Sequence, residues 1–150
     1  MNKSWRLDSK AAATAAAFRK ATRGRRWRAS LAACETVVPI VGLDADDDVK
    51  EGLKALREGR TDDSALRARL VVLSARFDDE YLRLDAEGDA RKRSEVLRVF
   101  AKARGTSAIV FALSGDASQL HEVIYEAMSA LVDDPMEVAR AVDAALAGSA

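Results

Sequence analysis

Residues 63–85 read DSALRARLVVLSARFDDEYLRLD. Within them Leu66, Leu70, Leu73, Phe77, Tyr81 and Leu84 recur at steps of 4, 3, 4, 4 and 3, which puts all six on one face of an α-helix. Gly88 closes the segment. This is the strongest periodic signal in the chain, and it sets the fold class: the segments on either side repeat the same spacing.

Towards the N-terminus, Val49, Leu53 and Leu56 form the stripe of a shorter helix. That helix starts in the acidic loop GLDADDD, where Asp47 and Asp48 suit the positive end of the helix dipole, and it stops at Gly59. Before it, Trp27, Leu31, Cys34 and Val38 follow steps of 4, 3 and 4, and Pro39 opposes continuation. Projected backwards, that face meets Lys20, Arg23 and Gly24 rather than apolar residues. The spacing therefore predicts a break at Gly24, preceded by a separate helix that begins after Asp8 or Ser9 and ends near Thr22. Towards the C-terminus, one helix starts after Asp89 and reaches Gly105. The run TSAIVFALSG that follows is either a short buried helix or a continuation through Gly105, because a lone strand would have no partner. Asp116 and Asp134 stand where two further helices begin, the second with Pro135 at its first position.

The expected fold is all-α: one domain over residues 1–150, a bundle of six or seven amphipathic helices with short loops. Residues 1–24 are expected to form a basic and less tightly packed N-terminal helix, since their apolar side is mostly alanine. Composition agrees. Apolar residues make up 49% and aromatics 5%, so the core must be built from Ala, Leu and Val; alanine alone occupies 30 positions and proline two. Arg outnumbers Lys 17 to 7, a bias of GC-rich bacterial genomes. A single cysteine, Cys34, forms no intrachain disulfide and fits a reducing compartment. The N-terminal run AAATAAAF lacks the Leu-rich centre of a secretory signal, and no run approaches the length of a membrane span, so a cytoplasmic location is expected.

Few chemistries find their residues here. His121 is the only histidine, and it sits between Leu120 and Glu122 on a helix, which reads as structural. Cys34 lies on an apolar stripe, which reads as packing rather than nucleophile. The run Asp44, Asp46, Asp47, Asp48 echoes a calcium loop. However, Val49 stands where such a loop needs glycine, and Ala55 where it needs a bidentate glutamate. No phosphate-binding glycine loop and no nucleophile elbow occurs. The residues thus point to a non-enzymatic protein with no cofactor and no metal.

Charge is the remaining clue. The chain is neutral overall, but residues 1–30 hold nine Lys or Arg and one acid, a net of +8, and the other 15 bases and 23 acids give −8. The positive charge concentrates in residues 18–28, FRKATRGRRWR, through Arg19, Lys20, Arg23, Arg25, Arg26 and Arg28. Arg forks match phosphate, and a nearby Trp27 offers a ring for an unpaired base. Alternatively the cations are the tip of a helical hairpin, neutralised by the acids at 44–48 and 78–80. The expected role is a binding or assembly module that engages a protein partner or self-associates. The alternative is contact with RNA or DNA phosphates through residues 19–28. No membrane contact is expected, since the first helix sets only alanines and one Phe opposite its charge.

Overall fold

The computed structural model describes residues 3–148. Eight α-helices follow one another: α1 (Arg6–Lys10), α2 (Ala12–Lys20), α3 (Arg23–Ile40), α4 (Asp47–Arg57), α5 (Ser64–Glu87), α6 (Arg93–Ala112), α7 (Leu120–Ala130) and α8 (Met136–Ala147). Single 3₁₀ turns at Ala90–Lys92 and Ala117–Gln119 lead into α6 and α7. No strand occurs among the described residues, so the chain is all-helical with slightly more helices than the spacing predicts. Residues 106–112 belong to α6, which runs on through Gly105.

The additional helix comes from the N-terminus. The Trp5 N–H donates to the Asp8 carboxylate at 2.7 Å, half of a capping box, so a helix starts at Arg6, upstream of its expected cap. Ala11 then leaves helical geometry (φ −154°, ψ 80°) and divides α1 from α2. The break expected at Gly24 lies at Ala21 and Thr22, both extended. Thr22 is the cap of α3, its hydroxyl accepting from the Arg25 N–H at 3.3 Å, and Gly24 falls inside the first turn. Pro39 also lies inside α3, in the last turn, where little helix remains to be disturbed. Asp134 does not cap α8 with its side chain: its carboxylate accepts from Arg140 at 3.1 Å, and α8 begins after Pro135.

Helix α3 is surrounded by α4, α6, α7 and α8. Leu120 of α7 lies by Trp27 at the start of α3, and Leu131 just past α7 lies by Ile40 at its end, so α3 and α7 run the same way. Helix α6 runs against them, with Ala112 near Trp27 and Lys102 near Gly42. The core between these helices is built from small residues. Ala29, Ala33, Cys34 and Val37 of α3, Ala108 and Ile109 of α6, Val123 and Ala127 of α7 and Val138, Ala139 and Val142 of α8 are completely buried. Leu7, Ala15 and Phe18 seat the N-terminal helices on this bundle. Small side chains permit close approach, and Gly105 shows how close: a Cβ there would stand 3.1 Å from Leu43 Cδ1 and 3.3 Å from Val41 Cγ2.

The long hairpin α5–α6 exceeds the bundle. Gly88 turns it in the left-handed conformation (φ 63°) that glycine adopts without steric cost. Its distal half has a separate small core of Leu84, Val96 and Val99, with Phe77 and Tyr81 packed against it. No described helix is long and apolar enough to cross a membrane.

Gly105→Val should overpack the contact with Val41 and Leu43 and destabilise the fold by about 1–3 kcal/mol. Urea unfolding followed by circular dichroism checks this, with a lowered midpoint expected.

Candidate functional site

The basic segment is divided by its hydrogen bonds into an internal and an external set. Arg26 reaches back across the α2–α3 turn and donates to the carbonyl of Phe18 at 2.8 Å, which also accepts from the Ala21 N–H, and to that of Arg19, both at the C-terminal end of α2. Arg19 grips Asp8 with two bonds of 2.6 and 2.8 Å, donates to the Lys3 carbonyl at 3.0 Å, and lies 4.0 Å over the Trp5 ring. These two arginines hold α1, α2 and α3 together. Lys20, Arg23, Arg25 and Arg28 form no ion pair among the described residues. Of the acids at 44–48 and 78–80, three are engaged elsewhere, and none pairs with the basic segment among the described residues. Asp46 caps α4, Asp48 and Glu51 share Arg69, and Asp78 holds Arg104.

Trp27 is not the core anchor its periodicity suggests. It is half-buried and lines a cleft of about 450 Å³ that also takes in Arg23 and Gly24 of α3, Gly59 and Thr61 of the α4–α5 loop, and Gly115, Asp116, Ala117 and Leu120 around the α6–α7 turn. Gly59 and Gly115 have positive φ (70° and 73°), which their turns require. Gly24 has no such need, and nothing lies within 4 Å of a Cβ placed on it. Alanine there would stabilise the helix by roughly 0.5–1 kcal/mol.

A buried charge network lies between the N-terminus and the bundle. Glu126, 3% exposed, accepts from Arg6 at 3.1 Å and from Arg104 at 3.0 Å; Arg6 also binds Glu122, and Arg104 also binds Asp78. One carboxylate thus joins α1, α6 and α7, with α5 attached through Asp78. Beside it the His121 ring stacks on Trp5, centroids 4.3 Å apart and planes 4° from parallel. Its Nδ1 is buried without a hydrogen bond. Burial holds the His121 imidazole below its ordinary pKa of 6.5, with Arg19 and Arg6 adding to the effect against Glu122 and a backbone hydrogen bond. Asp8 is lowered to about 2, first by the Arg19 hydrogen bonds and then by the Trp5 N–H. Cys34 is fully buried, and desolvation pushes its thiol up to about 12, so the thiolate that would act as nucleophile is suppressed. Among the described residues, no three His, Cys, Asp or Glu side chains group as a metal site would need.

At the opposite end of α3 a groove of about 610 Å³ opens beside the α5–α6 arm. Its apolar surface comes from Ile40 (50% exposed), Leu97, Leu131 and Val132 (54% exposed). Arg98 and Lys102 line the α6 side, and Asp133, Asp134 and Glu137 the α7–α8 side. The sequence signals neither the groove nor the cleft as a site; only Gly24, a glycine that ends no helix, marks one of them. No known protein family matches this chain, and no curated protein or solved structure is similar to it.

Because His121 titrates lower in the folded than in the unfolded chain, its contribution to stability is complete above pH 6.5 and is lost as pH falls through the folded value. Asp8 adds a second loss in the same direction below its ordinary 3.8. The urea midpoint should therefore fall between pH 7.5 and 5.5, and His121→Phe, which keeps a ring on Trp5, should remove that fall.

Proposed function

We propose that the protein is a non-enzymatic assembly module whose groove beside the α5–α6 arm receives a second copy of the chain. The observation that carries this is the arrangement of the groove: exposed Ile40 and Val132 lie between a cationic side, Arg98 and Lys102, and an anionic side, Asp133 and Glu137. A two-fold axis through such a groove brings each cationic side against the partner's anionic side, so one patch complements itself. Apolar surface at the centre with charges at the rim is the usual anatomy of a protein interface. Asp134 is already held by Arg140, which leaves Asp133 and Glu137 as the carboxylates facing outward.

Charge reversal separates this from non-specific association. Arg98→Glu with Lys102→Glu should give a monomer by sedimentation velocity, as should Asp133→Lys with Glu137→Lys. An equimolar mixture of the two variants should recover the dimer, because each reversed side then meets its opposite. A wild-type chain that stays monomeric at 100 µM would refute the self-association.

A second reading rests on the other end of α3. Lys20, Arg23, Arg25 and Arg28 stand without acidic partners, while the acids nearest in sequence are paired elsewhere. Such a set suits the phosphates of RNA or DNA. Four phosphate contacts to a single strand would weaken binding roughly fifty-fold between 50 and 200 mM salt. Replacing all four by Ala should abolish heparin retention at low salt while leaving Arg19 and Arg26, and hence the fold, in place. Normal retention of that variant would exclude the basic end as the contact.

A further inference from the structure

We propose that the cleft beside Trp27 holds an unstacked nucleobase from a single-stranded nucleic acid whose neighbouring phosphates lie against Arg23 and Arg28. This rests on the phosphate-binding reading of the basic end and adds the part of the strand that the cleft itself receives.

Trp27 packs against the core yet leaves part of its ring uncovered towards the cleft, and Ala112, Ala117 and Leu120 complete an apolar lining. At about 450 Å³ it falls in the range of small-ligand sites and has room for a flat heterocycle. Gly24 precedes Trp27 by three residues, so the two share one face of α3. Any side chain at 24 would project from that face beside the ring, into space where nothing stands within 4 Å. The backbone needs no glycine there, since its φ is ordinary, and packing needs none either. The feature its absent side chain serves is the open cleft.

Charge then selects the ligand. Arg23 lines the cleft, and Arg28 follows Gly24 by four residues on the same flank; neither has an acidic partner. Asp116 lines the cleft from the opposite turn, with one oxygen accepting from the Ser118 backbone and hydroxyl at 2.9 and 2.6 Å. A carboxylate in that position repels a phosphate from the interior and accepts from an exocyclic amino group. The charged part of the ligand is thereby kept outside, against the arginines, and a base is favoured inside. Cytosine, with its N4 amino group, fits these demands. Stacking on a tryptophan with phosphates on nearby cations is the general mode by which proteins hold single strands.

Three probes test this at pH 7.5 and low salt: a fluorescein-labelled 12-residue oligo(dC), an abasic strand of the same length, and cytidine monophosphate. Oligo(dC) is expected to bind at least tenfold more tightly than the abasic strand by anisotropy. An unlabelled oligo(dC) should quench tryptophan fluorescence where the unlabelled abasic strand does not. Gly24→Leu, which fills the cleft from a position free of clashes, should bring oligo(dC) down to the abasic affinity. The same variant should keep abasic binding and melt no lower than the wild type, since leucine suits a helix better than glycine. If both strands bind alike without quenching, the nucleobase proposal is wrong while the phosphate contact stands. If neither binds, both readings fall together. Monophosphate that binds as tightly as the strand would make a free nucleotide the ligand and overturn the assignment to a strand.

Discussion

A helical core short of aromatic residues can exclude water only if its helices lie close together, and that constraint shapes the molecule. With alanine at 30 positions, the helices approach until even a Cβ at Gly52 would stand 3.0 Å from Ile109 Cγ2 and 3.1 Å from Leu70 Cδ1. Each buried alanine removes little apolar surface from water, at near 25 cal/mol for each Å², so the stabilisation must be collected over many contacts. Of the aromatic side chains only Phe18 is fully buried among the described residues. Trp5, Trp27, Phe77 and Phe111 are partly buried residues packed against the outside of the core. The rings that line the cleft and stack on His121 thus pack on the core from its periphery.

The same constraint explains the charge network. Helices α1 and α2 bury one leucine, one phenylalanine and one alanine against the bundle, a modest apolar contribution. Arg6, Asp8 and Arg19 supplement it with directed bonds to Glu122, Glu126 and one another's elements. A buried carboxylate held by two arginines is costly to desolvate and costly to unpair, so Glu126 favours one seating of the N-terminus over others. Arg26, on the last carbonyls of α2, fixes the angle of the following turn. With Arg19 and Arg26 bound inward, Lys20, Arg23 and Arg28 are left facing solvent as a consequence of the same fold.

Local periodicity made the helices legible, and long-range contacts explain what it missed. The α5 stripe of Leu66, Leu70 and Leu84 is buried in the structure, and α6 runs unbroken because Gly105 is a close-approach residue rather than a stop. The break assigned to Gly24 belongs to Thr22, whose cap bond to Arg25 outweighs the weak helix propensity of glycine two residues later. The division at Ala11 had no sequence signal at all. Of the six basic residues, Lys20, Arg23 and Arg28 have the exposure that charge alone suggests and Arg25 is partly buried without an ion pair, whereas Arg19 and Arg26 are bound within the fold. Their partners are a carboxylate eleven residues away and a backbone carbonyl eight residues away across a turn, and neither pairing follows from helical spacing. Trp27 shared a stripe with buried Cys34 and Val38, yet it lies at the helix end where the loops 59–61 and 115–117 do not close over it.

The two proposed surfaces occupy opposite ends of α3, and their separation bears on how they would act together. Trp27 and Ile40 are thirteen residues apart, roughly 20 Å along a helix. No side chain spans that distance, so occupation of one surface leaves the other free. A two-fold axis at the groove end would leave both basic ends of such a dimer free. A strand long enough to reach both would bind the second end at the effective concentration set by its own flexibility, while a shorter strand would engage one end only. Dimerisation would then change affinity for long strands and leave short ones unaffected. That length dependence would arise from geometry alone, without any change of conformation between the two surfaces.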